Sequence, residues 1–86
     1  MDRDTVESLK PYERTLDTAY RLGYANIILT DFKRMLSIYY KTPEDKLIQE
    51  RKVSPSVFSC GRCRLNALKA IAKEYFAAIS NNKDKQ

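Results

Sequence analysis

The 86-residue sequence has no histidine, only two cysteines, two glycines and three prolines, and no acidic side chain between Arg51 and Lys73. Without histidine, the chain lacks the side chain whose ordinary pKa lies nearest neutrality. No close pair of carboxylates stands in an apolar setting either, so general acid–base catalysis has no support and the chain reads as a non-enzyme. So few glycines and prolines argue against a β-rich or a disordered chain. Two cysteines three apart cannot build a secreted disulfide framework and fit a reducing compartment. There is no signal-type apolar segment and no apolar run of membrane-spanning length, so the expectation is a soluble intracellular protein with no membrane partner.

What is present is ordinary in amount and uneven in placement. Apolar residues make up 43% and charged residues 31%, typical of a soluble globular domain. A chain of this length forms one domain and buries only ~60–65% of its unfolded surface, leaving little core to spare for a deep substrate cleft. Residues 1–43 carry seven basic and six acidic side chains; residues 44–86 carry nine and five. The six basic residues between Arg51 and Lys73 have no acidic neighbour in sequence, and a field of one sign usually faces something negative.

Along the chain, residues 1–10 are polar apart from Val6 and Leu9 and read as a frayed lead-in. Pro11 suits the first turn of a helix. From there Tyr12, Leu16, Ala19 and Tyr20 recur at helical spacing, Asp17 and Arg21 pair at i, i+4, and Gly23 is the natural stop. The run Tyr24–Leu29 is too short to assign by period. Thr30 reads as an N-cap with Asp31 near the positive end of the dipole, and Phe32, Met35, Leu36 and Tyr39 form the core stripe of that helix. Thr42-Pro43-Glu44-Asp45 restarts a short helix ending near Arg51. Ser54-Pro55 repeats the device, so the last helix begins at Pro55 or at Cys60. It runs to Ile79, and the tail 81–86 is polar and expected to be flexible.

That last helix has three faces. Leu65, Leu68, Ala72, Tyr75, Phe76 and Ile79 gather on an apolar arc expected to face the core. Cys60, Cys63, Ala67, Ala70, Glu74 and Ala78 form a second arc of mostly small residues, open to close approach by another helix. Arg62, Asn66, Lys69 and Lys73 form a basic edge.

Cys60-Gly61-Arg62-Cys63 is a C-x-x-C. Half-buried structural thiols are the leading reading. A zinc shared between two chains is a second, because two thiols and no histidine cannot complete a four-ligand site alone. Dithiol redox work is a third, aided by the helix N-terminus and by Arg62 and Arg64, although the β-strand that precedes such a motif in a thioredoxin-like unit is missing. The edge of Arg62, Lys69 and Lys73, with Arg51, Lys52 and Arg64 nearby, suits backbone phosphates or a protein partner. A solvated face is the alternative. No helix-turn-helix spacing, RNA-binding sheet or zinc-finger framework points to base reading. The tyrosines fall mostly on core stripes; Tyr40 lies off its own and is free to stack on a base or a partner.

The segments Tyr20-Arg21-Leu22-Gly23-Tyr24, Met35-Leu36-Ser37-Ile38-Tyr39, Cys60-Gly61-Arg62-Cys63 and Leu68 to Tyr75-Phe76 together resemble small uncharacterised all-α proteins encoded by bacteriophages of gut bacteria. The resemblance implies an accessory or virion component, located in the host cytoplasm or the virion, and implies no chemistry. The reading is therefore an all-α chain: a compact bundle of three main helices plus one short helix, forming a single domain over residues 1–86. Leu36, Leu68, Tyr75 and Phe76 are expected among its most buried side chains. Its expected role is a non-catalytic interaction module that docks through the last helix onto another protein or a second copy of itself. Nucleic-acid binding through Arg51, Lys52, Arg62, Arg64, Lys69 and Lys73 is the alternative, to DNA or RNA. A dimer sharing a structural zinc through Cys60 and Cys63 is the second alternative; otherwise no cofactor is expected.

Overall fold

The computed structural model describes residues 1–84, and no β-strand occurs among them. The chain starts in helix at once. α1 spans Arg3–Leu9, capped by Asp2, whose carboxylate accepts the Thr5 N–H at 2.8 Å. Pro11 cannot supply an i→i−4 bond, and the chain tightens into a 3₁₀ turn over Lys10–Tyr12. α2 (Glu13–Asp17) comes next and widens into a π-helical turn over Thr18–Leu22. Gly23 ends this run in the left-handed conformation (φ 75°), as its position in sequence requires. Asp17 and Arg21 form the expected ion pair, with contacts of 2.7 and 2.8 Å.

α3 (Leu29–Tyr40) buries Phe32, Met35 and Leu36. It begins one residue before the expected Thr30 cap. Ile28 occupies the cap position without a side-chain bond, its carbonyl accepting the Phe32 N–H at 3.0 Å. Lys41 closes the helix in the left-handed region (φ 56°). Thr42 is buried and its hydroxyl donates back to the Tyr40 carbonyl at 3.1 Å, so it finishes α3 and does not cap the next turn. The short helix is reduced to a 3₁₀ turn at Glu44–Lys46 and a succession of hydrogen-bonded turns, anchored by buried Leu47 and ending at Arg51, also left-handed (φ 58°). Pro55–Phe58 forms a separate 3₁₀ turn, and α4 runs from Gly61 to Asp84. At 1.5 Å per residue these 24 residues reach roughly 36 Å, close to the 40 Å long dimension of the molecule.

The core consists of Leu9, Leu16, Phe32, Met35, Leu36, Leu47, Leu68, Ile71 and Tyr75, all essentially inaccessible to water. One expectation is corrected by this core. Residues 1–9 are a helix with Thr5, Val6 and Leu9 buried, and α1 packs against both α3 and α4. The supposed lead-in thus lies inside the fold, because apolar side chains three apart can be buried between two longer helices. At the other end, α4 continues through 81–84, and the remainder of the tail, residues 85–86, lies outside the described residues.

The buried stripe of α4 is also rotated from the expected arc. Leu68, Ala72 and Tyr75 are buried, but Ile71 joins them, while Leu65, Phe76 and Ile79 sit at the half-buried margin. The Tyr75 hydroxyl donates to Glu13 Oε1 at 2.6 Å, tying α4 to α2. Burial and the facing carboxylate push that phenol well above its usual range.

Candidate interaction surfaces

The rotation of α4 decides where its cations go. At 100° per residue Arg64, Leu68, Ile71 and Tyr75 share the inner stripe, and Arg62, Asn66, Lys69 and Lys73 stand opposite it. All four of the latter are exposed. Arg64 is not part of that edge. Its guanidinium lies 5.3 Å from the Phe32 ring centroid, one amino group donates to the Phe58 carbonyl at 3.0 Å, and its buried Nε has no partner. Arg64 therefore fastens α4 to α3 and to the Pro55–Phe58 turn. Lys33 completes that corner from the other side, 5.4 Å from the Phe58 ring, which meets Phe32 edge-on.

Arg51 and Lys52 are exposed on the connection between Leu47 and Pro55, beside an open hollow that Ile48 and Val53 also line. The ion pairs among the described residues are Arg21–Asp17 and Lys41–Asp2. Glu74, the one acidic residue in 51–83 of the sequence, accepts a hydrogen bond from the Tyr39 hydroxyl and is directed toward α3. Partial burial and that carboxylate push the Tyr39 phenol up to about 12.

The small-residue arc of α4 is partly used by the chain itself. Ala67 and Ala78 pack against the core cluster, and Cys60 and Cys63 are half-buried free thiols. Cys60 immediately precedes α4, and its Sγ accepts the Cys63 N–H at 3.1 Å. Among the described residues no group of three or more His, Cys, Asp or Glu side chains comes together as a metal site.

A further surface had little signal in sequence. Tyr20, Leu22, Tyr24, Ile28 and Leu29 are 49%, 63%, 55%, 65% and 40% exposed. Their exposure comes from the backbone. The π-helical turn adds a residue to the cycle and carries Tyr20 off the stripe that Leu16 and Ala19 keep, and the segment past Gly23 runs extended until α3 starts. Tyr20 stays connected to α4, its ring centroid 6.1 Å from that of Phe76. Tyr20, assigned to a core stripe, thus lies outside, as does Tyr24 of the unassigned run, whereas Tyr40, the one left off its stripe, is half-buried edge-on against Tyr39 at 4.8 Å.

The architecture defines a small all-α bundle, with no described helix long and apolar enough to cross a membrane. Comparison of the chain with protein-family models, curated proteins and solved structures finds no match.

Proposed function

We propose that this chain is a non-catalytic interaction module that binds a protein partner through the 20–29 connection and the adjoining flank of α4. The observation that carries this reading is the run of five large apolar side chains, each at least 40% exposed, within ten residues of an otherwise charged surface. Isolated exposed apolar residues are normal; a cluster is the usual mark of a contact site. Two aromatic rings and three aliphatic chains around a turn suit an apolar protein surface, a second copy of this chain included.

The test is the double substitution Leu22→Ser with Ile28→Ser. Neither side chain is buried, so the variant is expected to fold with an unchanged helical spectrum. The wild type is expected to self-associate in sedimentation or to retain a protein partner on purification, and the variant to lose that association. Unchanged association in both measurements refutes the reading.

A second reading has its own support. Arg62, Lys69 and Lys73 face away from the core on one line, while the neighbouring carboxylate is occupied by Tyr39. That geometry suits contacts with nucleic-acid phosphates, without base reading.

A further inference from the structure

We propose that Cys60 and Cys63 are a redox-active dithiol that exchanges reversibly with disulfide oxidants, Cys60 attacking and Cys63 resolving. The pair serves no role in the surface described above, and both thiols are free and half-exposed. Cys60 is not itself in α4, so the ~5–6 Å Cβ spacing of two helical residues three apart does not bind the pair to a separation beyond the ~3.5–4.5 Å that a disulfide needs. Bringing the sulfurs together takes a local movement of Cys60, which lies just outside α4 and whose backbone angles the helix does not fix. The Cys63 N–H already points at Cys60 Sγ. Both thiols keep partial access to solvent, and Gly61 and Arg62 between them are exposed.

The two thiols are inequivalent. Hydrogen bonds from Cys63, through its side chain and its N–H, together with the nearby Arg62, lower the Cys60 pKa, whereas the neighbouring Cys60 and burial raise that of Cys63. This is the asymmetry that exchange uses. The Cys60 thiolate attacks one sulfur of the oxidant; that S–S bond breaks, its other half leaves as a thiolate, and a mixed disulfide forms. Cys63 then gives up its proton and attacks Cys60 Sγ, breaking the mixed disulfide and releasing the second thiolate. Two electrons and two protons pass from the dithiol to the oxidant, leaving a Cys60–Cys63 disulfide.

The experiment equilibrates the reduced wild-type chain with glutathione buffers of rising disulfide content, then traps the thiols and weighs the products. The expected product is a monomeric chain with an internal disulfide, fully reversed on return to reduced glutathione. In the reduced protein at neutral pH, iodoacetamide should modify Cys60 roughly tenfold or more faster than Cys63, because the thiolate is the reacting form. Cys63→Ser should accumulate a glutathione adduct at Cys60, and Cys60→Ser should form one far more slowly at Cys63. Thiols that stay reduced throughout, oxidation only between chains, or equal alkylation rates overturn the proposal. So does one zinc per two chains in the purified protein. The alkylation and equilibration measurements use the unaltered chain, so the outcome does not depend on the variants folding.

Discussion

Truncating Leu9 tests whether α1 is structural or ornamental. Its side chain is fully buried, in a helix that packs against both α3 and α4. Removing a buried leucine to alanine forfeits the transfer energy of the lost methyl groups plus the cost of the cavity left behind, ~2–5 kcal/mol in total. Collapse of the neighbours is restrained at this position, since Leu9 is held between two long helices, so about 3 kcal/mol is the working figure. A domain of this size has a whole stability of roughly 4–13 kcal/mol at 0.05–0.15 kcal/mol per residue, so Leu9→Ala removes a large share. In urea, with a slope of about 1–3 kcal/mol per molar, the midpoint should fall by about 1–3 M. Equilibrium unfolding followed by circular dichroism is the assay, with Ser8→Ala, one residue away and exposed, as control. A shift under about 0.5 kcal/mol, the range of ordinary surface substitutions, would show that residues 1–9 fray in solution and that α1 does not pack against α3 and α4.

Leu68→Ala should cost ~2–4 kcal/mol, and Phe76→Ala measurably less than a fully buried phenylalanine would, because Phe76 lies at the margin; a larger loss for Phe76 would put α4 back on the expected arc. The raised phenol of Tyr39 stabilises the fold fully below the unfolded value near 10, and that contribution is lost as pH climbs through about 12. Ultraviolet titration should show two late-ionising tyrosines, Tyr39 and Tyr75, of which Tyr39→Phe removes the one near 12, and an unaltered late phase would mean the Tyr39–Glu74 contact does not form in solution. If nucleic acid binds, changing Arg62, Lys69 and Lys73 to glutamine should reduce the slope of log affinity against log salt by up to about three units, with folding unchanged. No measurable binding of long single-stranded or duplex probes at low salt removes that reading.

Much of the architecture could be read from the chain because it rests on local rules. Gly23 had to stop a helix, Asp17 and Arg21 had to meet, and Phe32, Met35 and Leu36 had to share a face. α1 was missed because its burial is tertiary: two apolar residues among charges carry no strong period, and only Asp2 ahead of Thr5 hinted at a cap. The inward turn of Arg64 does have a sequence signal, since it shares a stripe with Leu68, Ile71 and Tyr75 at spacings of four, seven and eleven. A charge on an apolar stripe either leaves it or finds an aromatic face, and Phe32 supplies one. The exposed connection was not legible, because a π-helical turn has no sequence signature and shifts the phase of every residue after it.

The packing of α1 and α2 against helices made after them has a consequence for synthesis. The bond from Tyr75 to Glu13 spans 62 residues, and the long helices that cover Leu9 (α3 and α4) and Leu16 (α4) are made after them. A chain emerging from the ribosome at about 5–20 residues per second therefore carries its first helix bare for several seconds. α3, the first of its two partners to be made, covers one side of it, and the other side waits for α4, so the bundle is completed only as α4 emerges. Stalled chains that end before residue 61 lack α4 and should be far more open to protease than the full chain.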